Sequence, residues 1–204
     1  TSCSALVSTP PDLFAAPLQF LCAILNTCPT ISIGKVESVI QANNRHGLQR
    51  LDGIVPDVWT IIRKRLKNPH IQGIWLDFIR YAARWEKPKP TLVDTCFSSF
   101  SLRQFELFAG ITLPGSTLPE KARHIQARLP GRWVDFKVET IRSWVEEAQR
   151  IRDRERPDVW LGLFGVPWTE ADFDGAVRKI LGQDFGVLGA HIDIFSPMAY
   201  HKLC

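Results

Sequence analysis

The chain has 204 residues, 45% of them apolar and 23% charged, enough for one large globular domain with ample core. Its formal net charge of +4 is too small, and its cations too interspersed with acids, to suggest a nucleic-acid surface. Five cysteines, an odd number with no close CxxC pair, exclude a complete disulfide framework and argue against a zinc site, so neither metal nor cofactor is expected.

No apolar run is long enough to span a membrane; the longest, near 13–25, is broken by Pro17 and Gln19. The start lacks the basic stretch of an intact signal peptide. The compartment stays open, extracellular and periplasmic placement included. Residues 1–30, rich in Ser, Thr, Pro and Cys, read as an irregular segment, and 31–204 as the main domain. Helical spacing at Val36, Val39 and Ile40 predicts a helix over 35–44, which Gly47 ends. A strand over 48–55 and a helix over 58–66 follow, the latter with Trp59, Ile62 and Leu66 inward and Arg63, Lys64 and Lys67 toward solvent.

Gly73-Ile74-Trp75-Leu76 is a short apolar run of the kind found in a parallel strand covered on both faces. Asp77, Arg80 and Tyr81 follow it, at the end of a strand where α/β folds bind ligands. Residues 82–132 then form a long insertion, with helices expected over 97–109 and 120–129 and a turn at Leu113-Pro114-Gly115-Ser116. Regularity returns with a helix over 136–152 and a strand over 159–166. Thr169 caps a helix to 181, which Gly182 stops, and a last strand runs over 191–196. Alternating strands and helices predict a parallel sheet with covering helices. GxGxxG, GxSxG and P-loop patterns are absent, which leaves a (β/α) TIM-type barrel. About five usable strands, and an end at Cys204 just after one, make that barrel incomplete or a fragment.

The stretch Gly73–Tyr81 with Arg84-Trp85-Glu86 resembles a signature of bacterial glycosidase-like (β/α)-barrel proteins. Asp94-Thr95-Cys96-Phe97, the run from Leu161 to Trp168 and the run from Asp193 to His201 resemble later blocks of that family, in order, over roughly 45–204. Gln72 and Ala82 stand where the family has Asp and Pro, and Ser98, Ser99 and Ser101 occupy the region of a second cysteine. The resemblance implies glycoside hydrolysis of an oligo- or polysaccharide. That chemistry needs two carboxyl groups flanking the scissile bond. Asp77 and Asp193 are the candidates, with Arg80 holding Asp77 ionised and apolar neighbours raising Asp193 for the acid role. Glu86, Asp94 and Asp184 are reserves. Arg80, Tyr81, Trp85, Trp168, Tyr200 and His201 are candidate sugar contacts. An Asp that caps a loop, and a Trp that packs on the next helix, are the competing readings. Two other functions stay open: a non-catalytic carbohydrate-binding or scaffold domain, and a metal-dependent hydrolase built on His191, Asp193 and His201.

Overall fold

A computed structural model describes residues 58–83 and 89–199. The irregular segment 1–30, the helix expected over 35–44, the strand over 48–55, and Trp85, Glu86, Tyr200 and His201 lie outside those residues.

The described chain opens with helix α1 (Val58–Leu66), which leads through a turn into strand β1 (Gly73–Leu76). Two helices of eleven residues follow, α2 (Ser99–Ala109) and α3 (Leu118–Arg128). Their ends are written in the sequence. The Ser98 hydroxyl accepts the Ser101 N–H, and Gly110, at φ 63°, closes α2 in the left-handed region. Thr117 and Glu120 form a reciprocal capping box on α3. Helix α4 (Pro130–Glu155) runs for 26 residues and starts on a proline, whose missing N–H costs nothing in the first turn.

Strand β2 (Trp160–Gly165) comes next, then a 3-10 turn (Asp172–Asp174) and two one-turn helices, α5 (Ala176–Lys179) and α6 (Phe185–Leu188). Strand β3 (Ile194–Pro197) completes the sheet. The single helix expected to 181 is instead broken: Phe173, Asp174 and Gly175 all take positive φ.

The three strands are parallel and lie in the order β1-β2-β3, with Leu76 level with Leu163 and Leu163 level with Phe195. The parallel α/β character expected from the sequence is therefore present. The barrel is not. Among the described residues the sheet is open, three strands wide and covered by helices on one face, so it is not a TIM barrel. A closed barrel of this type takes eight strands, and the described residues supply three. Helix α4 runs along one face, and its two halves serve different cores. Ile141, Val145, Ala148 and Ile151 meet Leu161 and Leu163 of β2, joined by Ile62 and Leu66 of α1 and Leu188 of α6. Trp133 and Phe136, one to two turns earlier, pack instead with Leu102, Phe105 and Ile125 of α2 and α3. The long insertion thus builds a core of its own on the first half of α4. No described helix is long and apolar enough to cross a membrane.

Candidate functional site

At the carboxyl end of β1, Asp77 is exposed and its carboxylate accepts the N–H of Phe78 at 2.8 Å. Phe78 sits at φ 58°, a conformation a bulky residue adopts only under strain. That turn folds Arg80 back so that its guanidinium lies 4.8 Å from the centre of the Phe78 ring. Arg80 and Tyr81 are both buried. Tyr81 enters the core among Ile141, Val145 and Leu163, its backbone N–H bonded to Leu181. Burial pushes its phenol well above the ordinary value, against a hydrogen bond with Thr140. Tyr81 is a core residue there, not a surface contact for sugar.

Asp193 lies elsewhere. It immediately precedes β3, level with Leu161 and Ile74 at the amino ends of the strands, whereas Asp77 follows β1 at the carboxyl end. Three residues along the strands and two strands across separate them, roughly 14 Å between Cα atoms. The expected shared cleft is therefore not formed by this pair. The Asp193 carboxylate accepts the Leu161 N–H at 2.8 Å and an Arg152 N–H at 2.6 Å. Partial burial raises its pKa, but those two donors outweigh it and hold the group below its ordinary value. That is the opposite of the raised value an acid role requires. The neighbouring His191 bonds Gln149 through Nδ1 at 2.9 Å. Among the described residues no three His, Cys, Asp or Glu side chains gather closely enough to hold a metal ion.

Two other predicted residues are structural in their surroundings. Trp168 packs against Phe173, ring centres 4.6 Å apart, beside Val166. Asp94 accepts from the ammonium of Lys137 at 2.6 Å and from the Trp133 indole at 3.2 Å. Lys137 is fully buried and also donates to the Lys179 carbonyl. Burial pushes its pKa down, and Asp94 recovers part of that. This knot ties the loop after β1 to α4 and to the end of α5. Sequence reasoning missed Lys137, because an isolated lysine on a helix reads as solvated. Asp184 caps α6 through the Val187 N–H.

Among the described residues, the feature without a structural explanation is the face of the sheet that no described element covers. Trp75, Trp160, Phe164 and Ile194 point to it, and none of them belongs to a buried cluster. Trp160 is 54% exposed and Trp75 39%. The Trp75 indole lies across two glycines: a β-carbon on either Gly73 or Gly162 would overlap it. Its N–H donates to the Ser196 hydroxyl at 2.9 Å, two strands away. The ring is thus laid flat on the backbone and pinned at one edge, with its other side outward. The signal for it was the pairing of Gly73, Trp75, Trp160 and Gly162 at alternate positions, small residues where large ones belong. No family model, no curated protein and no solved structure matches the chain.

Proposed function

We propose that this chain is a non-catalytic carbohydrate-binding α/β domain whose ligand stacks on the open face of its sheet. The observation that carries this reading is the Trp75 indole, shelved on Gly73 and Gly162 and anchored by Ser196. A sugar ring presents a flat C–H face that fits an exposed aromatic plane, and a ring already fixed loses little freedom on binding. Trp160, exposed beside Gly73, continues the surface. The resemblance of its sequence blocks to glycosidase-like proteins supports a glycan as the ligand class. Hydrolysis by Asp77 and Asp193 draws no support from their positions, since Asp77 follows β1 at the carboxyl end of the sheet and Asp193 precedes β3 at the amino end.

Affinity electrophoresis against neutral and acidic polysaccharides tests the reading. Trp75→Ala should weaken binding about tenfold, the scale of one lost stacking contact, with the fold intact. Asp77→Asn should leave binding unchanged. Release of reducing ends that Asp77→Asn abolishes would instead put the glycosidase reading ahead. Equal binding by the Trp75→Ala protein would remove the stacking surface.

A further inference from the structure

The strands put no charge on the face that carries Trp75. Alternation brings Gly73 and Trp75 of β1, Trp160, Gly162 and Phe164 of β2, and Ile194 and Ser196 of β3 to one side. None of these side chains is ionisable. Ser196 offers a hydroxyl, and it already accepts the Trp75 indole N–H at 2.9 Å. Trp160 and Phe164 stand on the same strand about 13 Å apart between Cα atoms. The Trp75 ring lies over Gly162 between them. That is room for a short stretch of a glycan chain rather than for one ring.

Among the described residues, the carboxylates that flank the strands are Asp77, Asp158 and Asp193, and they differ in their partners. Asp158, in the turn before β2, is held by Arg156 at 2.8 Å. Asp193, just before β3, is held by Arg152 at 2.6 Å. Asp77, just after β1, is exposed and has no ion pair among the described residues. Its carboxylate accepts only the N–H of the next residue, Phe78. Arg80, three residues on, is buried with its guanidinium against the Phe78 ring. The same alternation carries Asp77 to the side of Gly73 and Trp75. The register that sets Leu76 level with Leu163 sets Asp77 level with Phe164. An unneutralised negative charge therefore stands at one corner of an uncharged platform.

Resting on the carbohydrate reading above, we propose that the open face selects a neutral glycan and that Asp77 is the specificity residue that turns acidic glycans away. Stacking on an indole uses the C–H faces of the sugar and gains nothing from charge on the ligand. A uronic-acid chain would bring a carboxylate on every ring to a surface that presents no cation to receive it. Desolvating such a charge without a partner is costly. Asp77 adds repulsion between like charges, a selection against the wrong ligand rather than a contact to the right one. Neither effect acts on a neutral chain, whose hydroxyls stay hydrated at the ring edges. The same two effects disfavour a nucleic acid, whose phosphates need cations to replace their counterions.

The test compares the full chain with Asp77→Asn, using cellohexaose and mannohexaose as neutral probes and hexagalacturonate as an acidic probe of equal length, at low and at high salt. Thermal unfolding checks the fold; if Asp77→Asn fails to fold, Asp77→Ser, which keeps an acceptor for the Phe78 N–H, replaces it. At low salt the wild-type chain should hold a neutral hexamer at least about tenfold more tightly than hexagalacturonate. Salt should leave the neutral affinity unchanged and narrow that gap, because only the repulsion is screened. Asp77→Asn should raise hexagalacturonate affinity about threefold at low salt, the scale of one exposed charge contact, and should not raise that of the neutral hexamers. Hexagalacturonate binding as tight as neutral binding in the wild type would overturn the proposal while leaving carbohydrate binding in place. So would a gap that Asp77→Asn leaves as wide as before. Failure of the wild-type chain to bind any of the three probes would remove the carbohydrate reading itself.

Discussion

The two faces of the sheet are built from the same strands and serve opposite ends. Along β2 the residues alternate: Leu161 and Leu163 turn to α4 and are fully buried, while Trp160, Gly162 and Phe164 turn the other way. The covered face is made of branched aliphatics that interlock with helix residues, which is how a core gains stability. The open face carries aromatics and glycines, with Ile194 and Ser196 on β3. Glycine adds nothing to a core and weakens a strand, so its use at Gly73 and Gly162 is explained only by what lies over it. One face holds the protein together, and the other presents a flat surface. Substitutions should therefore separate stability from binding according to the face they touch.

The largest effect is expected on the covered face. Leu163→Ala removes a fully buried side chain between Ile141, Val145 and Tyr81. It should cost about 3 kcal/mol of stability, the sum of lost burial and an unfilled cavity. Chemical denaturation reads this directly. Glycan binding by the fraction that remains folded should be unchanged. A loss below about 1 kcal/mol would mean that α4 does not close tightly on the sheet.

A smaller effect belongs to the rim of the same face. Asp193→Asn keeps the shape but weakens the bonds to the Leu161 N–H and to Arg152, which is buried. A loss of about 1–3 kcal/mol is expected near neutral pH. The dependence on pH has a definite sign. The Asp193 carboxyl has a lower pKa folded than unfolded, so the stability it adds is complete above its unfolded value, about pH 4. That stability is lost as pH falls through the lower folded value. The difference in unfolding free energy between wild type and variant should accordingly shrink below about pH 4. A difference constant down to pH 2 would mean that the carboxylate bonds contribute nothing.

Much of this contrast was legible in the sequence, but not which way each residue faces. Apolar runs located all three strands to within a few residues, and i,i+3 and i,i+4 spacing located α1, α2, α3 and the body of α4. Local signals suffice for those, because caps and periodicity are properties of short segments. The run from Gly73 to Leu76 was read as covered on both faces, and among the described residues only the side of Ile74 and Leu76 is covered. Whether a face is covered depends on where distant helices land, which no window of sequence records. That Asp193 stands at the amino end of β3, away from Asp77, was hidden for the same reason. An apolar neighbour on each side fits either end, and the start of β3 is fixed only by its pairing with β2. Lys137 was invisible as a buried group because its partners, Asp94 and Lys179, lie some 40 residues away on either side.

The smallest change in structure is the sharpest probe of the comparison. Gly162→Ala adds one methyl group on the open face, where it would overlap the Trp75 indole from below. Nothing covers the ring from above among the described clusters, so the indole can lift rather than strain the backbone. The expected stability change is therefore at most about 1 kcal/mol, well under the cost of Leu163→Ala. Lifting breaks the bond from the indole N–H to Ser196 and tilts the ring off its shelf. If a flat, fixed ring is what the ligand meets, glycan affinity should fall severalfold although every contact residue is still present. Trp75 fluorescence cannot be read alone among seven tryptophans. The decisive measurement is the ratio of affinity loss to stability loss across Gly162→Ala and Leu163→Ala. Opposite rankings in the two measurements support the division of labour between the faces. The same ranking in both would mean that binding follows stability alone and that the open face has no separate role.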